Sequence, residues 1–321
     1  MRRLFALCIP LIDLLLVPVA MSAALAMRVI RRGGVERLPK TLQVFRRIGI
    51  YPVRDHYYEP LFNPSHLRKP LSEDRVLPGL DWNVDEQLDM LKQFDFNDEL
   101  LAIPLEPSGE REYFYNNDAF ASGDAEFLYN VIRLKKPRRI FEIGSGSSTL
   151  LAARAVQSNR REDPGYTCEH VCIEPYEADW LETLGVTTVR EPVERLDLSL
   201  FGRLEKNDIL FIDSSHMIRP QGDVVVEYLE ILPILHSGVL IHVHDIFSPK
   251  DYLDEWIRQN VCFWNEQYLL EAFLSFNSEF KIIGALNFLR HRHPAELGRC
   301  CPVLESQMAS REPGSFWMRR V

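Results

Sequence analysis

The sequence predicts a doubly wound α/β fold: a mostly parallel seven-stranded sheet with an antiparallel last strand, preceded by an N-terminal hydrophobic helix. Three observations support this prediction. From Asp118 onward apolar runs alternate with helix-like segments, a glycine-rich turn follows the first run, and acidic residues end later runs. Continuous apolar runs of this kind are typical of parallel strands that helices cover on both faces. The chain has 321 residues, 46% of them hydrophobic, which is enough for such a core and excludes a disordered protein.

The elements follow one another in a regular order within the domain predicted for residues 118–321. A Ser/Asp N-cap in the segment Ser122–Glu126 opens the first helix, and turns and helices then separate the strands. The last two strands are expected to form a hairpin-like antiparallel edge. The predicted strands are 139–143, 170–173, 186–189, 208–212, 239–243, 280–289 and 315–319, and the predicted helices are 127–132, 149–157, 178–184, 223–235 and 265–276.

Residues 1–40 are predicted to form a membrane anchor. Residues 4–27 contain a single charged side chain, Asp13, and are long enough to cross a bilayer as a helix that Pro10 and Pro18 interrupt. A cleaved signal peptide, a spanning anchor, a helix that stays in one leaflet and a buried core helix are the competing interpretations. More Lys and Arg follow the segment than precede it, which favours a body on the cytoplasmic side.

Residues 41–117 are rich in aromatic residues and proline, and they are predicted to form a cap or collar with little regular structure. The chain has a net charge of −9, and its first 40 residues carry +5, so the remainder carries −14. Such an acidic body argues against a nucleic-acid partner. The six cysteines contain no CxxC pair, which indicates reduced core cysteines rather than disulfides or a zinc site.

The turn after the first strand reads Glu142-Ile-Gly144-Ser145-Gly146. Glycines let the backbone approach a ligand closely, and the helix that follows would present its free N–H groups to that ligand. The third glycine of the dinucleotide fingerprint is replaced by Thr149, so this motif alone is also compatible with a tight turn that binds nothing. Glu174 ends the next strand, where a carboxylate can accept hydrogen bonds from both ribose hydroxyls of a nucleoside.

An E-x-G-x-G loop followed by an acid at the end of the next strand resembles the class I S-adenosylmethionine-dependent methyltransferases. The resemblance covers roughly residues 118–321 and implies a Rossmann-like sheet with S-adenosyl-L-methionine as cofactor. Asp197, in Glu194-Arg-Leu-Asp197, lies where the family often contacts adenine. By match to the family pattern, the other cofactor residues would be Glu142, Gly144, Ser145, Gly146, Glu174 and Asp213.

Two acidic motifs, Asp213-Ser-Ser-His216 and His244-Asp245, close the fourth and fifth predicted strands. These strands are neighbours in this fold, about 5 Å apart, so Asp213 and Asp245 could face one crevice. A hard cation such as Mg²⁺ would relieve their mutual repulsion. His216 is expected at the rim, with room to take a proton from a substrate hydroxyl. Solvated acids, helix caps or a surface histidine are the alternative interpretations of these residues.

The same motifs resemble the metal-dependent O-methyltransferase branch, including sugar O-methyltransferases and the related cephalosporin-hydroxylase group. The resemblance implies Asp213, Asp245 and His244 as metal ligands and His216 as the base, although His244 replaces a family carboxylate. The alternation of side chains along a strand puts His242 and His244 on one face and Asp245 on the other. We interpret His242 as a sheet histidine that hydrogen bonds satisfy.

The leading functional hypothesis is S-adenosylmethionine-dependent O-methylation of a hydroxyl on a sugar, glycan or small molecule, with the help of a divalent metal. One alternative is an NAD-dependent oxidoreductase on a similar sheet, and the missing third glycine counts against it. Another is a non-catalytic, membrane-tethered scaffold that binds a nucleoside without turning it over. The identity of the acceptor is not encoded in any motif of the chain.

Overall fold

The computed structural model describes residues 2–61, 63–109 and 111–321, and for residues 2–8 it describes the backbone alone. The chain divides into two compact units between Arg68 and Lys69. This division falls inside the segment 41–117 that the sequence assigns to a cap.

The first unit contains two helices, α1 (Arg2–Gly33) and α2 (Pro39–Ile48), joined through a 3₁₀ turn at Val35–Arg37. Pro10 and Pro18 lie inside α1 without ending it, so the predicted interruptions are wrong. The stretch Ile9–Gly33 is long and apolar enough to cross a membrane, and none of its most apolar window is buried. This exposure contradicts the interpretation of a core helix, while anchors and signal sequences both fit the length and composition.

The second unit is built on a seven-stranded sheet in the order β3-β2-β1-β4-β5-β7-β6. Strands β1 to β5 are parallel, and β7 runs antiparallel to both of its neighbours, β5 and β6. The predicted mixed sheet with an antiparallel last strand is therefore confirmed. The strands are β1 (Arg139–Ile143), β2 (Glu169–Ile173), β3 (Thr187–Val189), β4 (Ile209–Ile212), β5 (Leu240–Val243), β6 (Phe280–Ala285) and β7 (Phe316–Arg320).

Helices cover both faces of this sheet, and short 3₁₀ turns fill several connections. The helix α7 (Asp223–Val226) continues into a π turn (Glu227–Ile231) and then a 3₁₀ turn (Leu232–Ile234). The helices of this unit are α3 (Val84–Lys92), α4 (Asn97–Leu101), α5 (Asp124–Lys135), α6 (Ser147–Glu162), α7 (Asp223–Val226), α8 (Asp254–Arg258), α9 (Glu266–Leu274), α10 (Leu286–Arg292), α11 (Pro294–Cys300) and α12 (Pro302–Gln307).

Two element predictions are wrong because tertiary packing overrides local pattern. The apolar run 280–289 forms β6 only as far as Ala285 and then turns into α10, and α10–α12 separate β6 from β7, so the two strands form no hairpin. The register shifts between Ile282 and Gly284, where a side chain at Gly284 would collide with the ring of Phe127. The predicted helix 178–184 is reduced to a 3₁₀ turn at Leu181–Thr183.

The core has two layers because successive side chains of each strand point to opposite faces. On β4, for example, Ile209 and Phe211 belong to the layer under α5 and α6, while Leu210 and Ile212 belong to the opposite layer. The carboxyl ends of β1 to β5 share one edge of this sheet, and the candidate site lies there.

Candidate active site

Gly144 holds the turn after β1 against the end of β4. Its φ is +78°, and its N–H donates to the Ile173 carbonyl oxygen at 3.0 Å. A Cβ at this position would collide with the carbonyl oxygen of Asp213. Both the left-handed backbone and the close approach require glycine, so Gly144 serves the fold as well as any ligand.

Glu142, predicted to bind the cofactor, lies beneath this turn rather than in the wall of the cavity. Its carboxylate accepts hydrogen bonds from Ser148 Oγ at 2.6 Å and Thr149 Oγ1 at 2.8 Å, and it contacts His170 Nε2 at 2.9 Å. Thr149 Oγ1 also accepts from the Gly146 N–H at 3.1 Å. The residue that replaces the third glycine thus ties the turn to Glu142, and Glu142 positions the start of α6.

A cavity of about 580 Å³ opens beyond the carboxyl ends of β1, β2 and β4. This volume lies within the roughly 300–1,000 Å³ that is usual for small-molecule sites. The turn after β1, the turn after β2 and the end of β4 contribute most of its wall. The lining residues that the sequence had singled out are Gly144, Ser145, Gly146, Glu174 and Asp213, and Phe120 and Arg219 join them.

Glu174 contributes a carboxylate to the wall of this cavity. Its Oε1 accepts from the N–H groups of Tyr176 and Glu177 at 3.0 and 2.9 Å. Among the described residues, its Oε2 accepts only from the Ser145 N–H, at 3.3 Å. A carboxylate oxygen can accept more than one hydrogen bond, so Oε2 keeps acceptor capacity for a ligand hydroxyl.

Asp197 lies outside the cavity wall, in contrast to the sequence prediction. Its side chain is exposed and caps the 3₁₀ helix Leu198–Arg203 by accepting from the Ser199 N–H at 2.9 Å. The wall at this point is formed by the preceding turn, residues 192–194. Glu194 begins the same four-residue motif, and no feature of the motif favours it over Asp197.

A cluster of two carboxylates and one imidazole adjoins the cavity. His216 Nε2 lies 3.3 Å from Asp213 Oδ1 and 3.4 Å from Asp245 Oδ2. One ligand atom from each of these three residues lies within 4.8 Å of the other two, a spacing that suits a metal ion. Because Asp213 also lines the cavity, the cluster and the cavity share a wall.

The predicted place of His216 at the rim is wrong. The residue is only 5% exposed, and its Nδ1 lies 2.8 Å from Oε2 of Glu266, a fully buried carboxylate on α9. The other oxygen of Glu266 accepts from the Tyr228 hydroxyl at 3.1 Å. Glu266 therefore fixes the ring of His216 and turns its Nε2 toward the two aspartates.

The charges of the cluster shift its pKa values strongly. Burial by itself would lower the pKa of His216, but Asp213 and Glu266 outweigh it and hold that pKa well above its usual range. Burial would raise the pKa of Asp213, but His244 and His216 reverse the effect and lower it. For Asp245 burial prevails over both histidines and raises the pKa to about 6. Without a metal ion, protons on the histidines compensate the two acids.

His244, a predicted metal ligand, contacts the same two carboxylates but does not belong to the group with metal-compatible spacing. Its Nδ1 lies 3.5 Å from Asp213 Oδ1 and 3.4 Å from Asp245 Oδ1. Asp245 has a φ of +58°, so the chain leaves the strand geometry there and both residues can face the cluster despite their opposite parity. His242 is fully buried and its Nε2 lies 2.9 Å from Ser315 Oγ, but its Nδ1 has no hydrogen-bond partner among the described residues, so the prediction for His242 holds for one ring nitrogen only.

A second group, Glu142, His170 and Cys172, also has metal-compatible spacing among the described residues. Its carboxylate is already engaged by two hydroxyls and by the imidazole. Burial raises the pKa of the Cys172 thiol, and Glu142 raises it further, which disfavours the thiolate that metals bind. We therefore interpret this group as a hydrogen-bonded support of the turn.

The cavity wall fits S-adenosylmethionine by its chemistry. Glu174 could accept hydrogen bonds from ribose hydroxyls. Ser147 and Ser148, at the start of α6, line the cavity, and no described residue accepts from their backbone N–H groups. A Cβ added at Gly146 would meet no protein atom within 4 Å, so this part of the turn is open to a ligand. Val193 and Pro192 add an apolar surface on which a flat base could pack.

Comparisons with known proteins agree with this fit. Residues 141–246 match the model of a family described as a methyltransferase domain. A protein of Archaeoglobus fulgidus, described as an uncharacterized protein, is 32% identical over 181 residues, which cover 52% of this chain and 79% of the relative. The matched segment, together with the sheet and the glycine turn, assigns residues 141–246 to a methyltransferase domain, the kind of domain that class I S-adenosylmethionine-dependent methyltransferases carry. This assignment disfavours the dehydrogenase alternative.

One solved structure overlaps the chain more loosely. It is described as a putative protein-L-isoaspartate O-methyltransferase (beta-aspartate methyltransferase) from Plasmodium falciparum in complex with S-adenosyl-L-homocysteine. The similarity covers 50% of this chain and 76% of that chain, with 9% identity and a TM-score of 0.26. An overlap at this level carries no functional argument.

Proposed function

We propose that the protein transfers a methyl group from S-adenosylmethionine to a hydroxyl oxygen, with a divalent cation held by Asp213, His216 and Asp245. The acceptor would be a sugar, a glycan or another hydroxylated small molecule. The observation that carries this proposal is the shared wall: Asp213 belongs both to the cofactor cavity and to the carboxylate–imidazole cluster. A cation at the cluster would therefore lie beside the cofactor.

The cluster has the ligand chemistry of a divalent cation site. Two carboxylates this close repel each other unless a positive charge lies between them. Oxygen ligands suit Mg²⁺, and the added imidazole also suits Mn²⁺ or Fe²⁺. Glu266 behind His216 is the usual kind of support for a metal-binding histidine, because it fixes the ring and its tautomer. We therefore assign His216 to the cation, rather than to the free base that the sequence predicts.

The chain's residues hold and orient the reactants. When bound, S-adenosylmethionine would supply a methyl group on a positively charged sulfur. The acceptor oxygen would take this methyl group and release its proton to solvent, leaving S-adenosylhomocysteine. A bound divalent cation would lower the pKa of that hydroxyl. Glu174 and the turn through Gly146 would fix the cofactor, and Asp213 would fix the distance between the two sites. Alignment of donor and acceptor is a large part of the catalysis available to such a site.

Aromatic side chains support an acceptor site next to the cluster. The ring centroids of Trp264 and His216 lie 4.6 Å apart. Trp256 meets Trp264 edge to face, with 5.1 Å between the ring centroids. Aromatic faces are common walls for sugar rings and small phenols alike. This feature favours neither a sugar nor a phenol acceptor.

The apolar helix α1 supports a tether. We propose that it attaches the enzyme to a membrane with the methyltransferase unit in the cytoplasm. The basic side chains that follow the apolar stretch, among them Arg31 and Arg32 in its last turn, favour this orientation.

Two matched titrations test the proposal. Gly146→Ala should weaken S-adenosylmethionine binding in calorimetry, whereas Gly202→Ala should leave it unchanged, since Gly202 has equally open surroundings outside the cavity. Asp245→Asn should weaken Mn²⁺ or Mg²⁺ binding, whereas Asp254→Asn, on the surface of α8, should have no effect. Gly144 is unsuitable for this test, because any side chain there disrupts the fold.

Activity completes the test. Methyl transfer from labelled S-adenosylmethionine should be measured against a panel of hydroxylated acceptors, with and without a chelator. Turnover that the chelator abolishes and Mg²⁺ or Mn²⁺ restores would support the proposal. Cofactor binding with full turnover in the chelator would refute the cation, and cofactor binding without turnover on any acceptor and metal would favour the non-catalytic scaffold.

A further inference from the structure

The helix α2 in the first unit is amphipathic and basic. Its sequence, Pro39–Ile48, contains Lys40, Arg46 and Arg47 and no acidic residue. From Arg28 to Arg54 the chain carries eight Lys or Arg and one Glu, a net charge of +7. This density stands out in a protein whose remaining residues are strongly acidic.

Only part of the apolar side of α2 packs within the first unit. Phe45 is buried and meets the ring of Tyr51 edge to face at 6.2 Å. Val44 and Ile48, one turn apart on the helix, are 51% and 64% exposed. The apolar exposure continues past the helix, where Ile50 is 56% exposed. An apolar strip of this kind on a helix normally has a partner.

Basic side chains border the exposed strip. Lys40 and Arg47 lie one turn or less from Val44 on the helix surface, and both are exposed. The ion pairs found in the described part of this unit use other arginines: Arg31 and Arg54 with Glu59, and Arg37 with Glu36. We call Lys40, Val44, Arg47 and Ile48 the α2 basic face.

We propose that the α2 basic face binds the surface of a membrane that contains anionic phospholipids. The face joins an apolar strip to positive charges that form no ion pair with any described residue, which is the pattern of helices that lie in the interface of a bilayer. It also follows within a few residues of α1, the segment that could cross a membrane. Basic segments next to a membrane helix are attracted to acidic lipid headgroups. The occupant is therefore a lipid surface rather than a second protein.

This inference rests on the membrane tether proposed above for α1, and it adds a requirement for lipid charge. An apolar helix alone inserts equally well into neutral and acidic bilayers. The α2 basic face would bind only the acidic one, and each basic residue should contribute on the order of fivefold in its equilibrium with the surface. The enzyme would then be held against acidic membranes by two contacts: the apolar helix α1 in the bilayer and the α2 basic face on the lipid headgroups.

Hydrogen exchange of the full chain in lipid nanodiscs tests the inference. One disc contains phosphatidylcholine alone, and the other also contains phosphatidylserine. The amides of α2 should exchange more slowly in the acidic disc than in the neutral one. The double variant Lys40→Gln and Arg47→Gln should abolish this difference. The double variant Val44→Ser and Ile48→Ser should abolish it as well. The matched control is Lys206→Gln with Arg299→Gln, which removes two exposed charges outside the first unit.

Each outcome decides between the proposals. Slow exchange of α1 in both discs, with lipid-dependent protection of α2, supports both the tether and the lipid face. Slow exchange of α1 with equal exchange of α2 in both discs overturns the lipid face and leaves the tether intact. Fast exchange of α1 in both discs overturns the tether and the lipid face that rests on it. Protection of α2 by soluble glycerophosphoserine alone would also overturn the lipid face, because a headgroup and not a bilayer would then be the ligand.

Discussion

Glu266→Gln is the substitution that most sharply probes the proposed cation site. Glu266 is fully buried and lies 2.8 Å from Nδ1 of His216, without touching Asp213 or Asp245 in the contacts found. The amide is nearly the same size and can still accept from Tyr228, so the packing of α9 should be preserved. What it loses is the negative charge that holds His216 with Nε2 facing the aspartates.

The magnitude follows from this geometry. Loss of a carboxylate that supports a metal-binding histidine typically costs 10–100-fold in metal affinity, or about 1.4–2.7 kcal/mol. A second effect opposes the first at low pH. Glu266 also stabilises the protonated imidazole, so its removal weakens the competition between proton and metal. We therefore expect the loss of affinity to be largest at high pH and to shrink as pH falls.

The assay is a titration with Mn²⁺, followed by electron paramagnetic resonance, across a series of pH values. Tyr228→Phe serves as a graded variant, because it removes only the hydrogen bond to the other oxygen of Glu266, and it should cost less affinity. Thermal unfolding reports whether either variant has lost its fold. Unchanged Mn²⁺ affinity at high pH in a stably folded Glu266→Gln protein would refute the reasoning, and so would a loss independent of pH.

Three further predictions concern other parts of the chain. Burial raises the pKa of Glu126 from its ordinary 4.5 to about 7, so the folded chain keeps a proton that the unfolded chain releases. The free energy of unfolding should therefore fall by up to ~3 kcal/mol as pH rises from about 4.5 to about 7. Denaturant titrations of Glu126→Gln should not show this fall, and a pH profile identical to that of the parent protein would contradict the prediction. Glu174→Gln should weaken S-adenosylmethionine binding about tenfold or more, whereas Asp197→Ala should not change it, and calorimetry giving the reverse order would restore Asp197 to the site. A chain that starts at Lys69 should stay soluble and bind cofactor with the parent's affinity while the full chain sediments with membranes; sedimentation of both would mean that α1 is not the tether.

Local sequence was sufficient to predict the features that depend on neighbouring residues. The glycine turn, Glu174 at the end of β2 and Asp213 at the end of β4 follow directly from apolar runs that stop at polar residues. The fold fixes what comes after each strand, so the cavity wall was largely foreseeable. Two predicted cofactor residues, Glu142 and Asp197, lie outside the wall. Asp197 shows how coarse this reasoning is, because a shift of one turn moves a residue out of the site.

Features that depend on distant packing could not be predicted in this way. Glu266 follows His216 by 50 residues and meets it only because α9 packs behind the ends of β4 and β5. Glu266 stands among aromatic residues, in Phe263-Trp-Asn-Glu-Gln-Tyr268, and nothing in this stretch of sequence marks its carboxylate as part of a site. The burial of His216 also depends on distant packing, because residues far away in the sequence cover its imidazole. The spacing between His216 and Asp213 in the sequence does not reveal this cover.

The contact between Gly144 and Asp213 has a thermodynamic consequence. The turn at Gly144, which would hold the cofactor, touches the backbone of Asp213. The side chain of Asp213 would hold the cation, so a shift of one site would move the other. Two ligands that stabilise the same arrangement of such an element must favour each other's binding, and by equal factors in both directions. We therefore expect S-adenosylmethionine to tighten Mn²⁺ binding and Mn²⁺ to tighten S-adenosylmethionine binding to the same extent. This reciprocity would make cofactor loading of the enzyme respond to the local supply of metal.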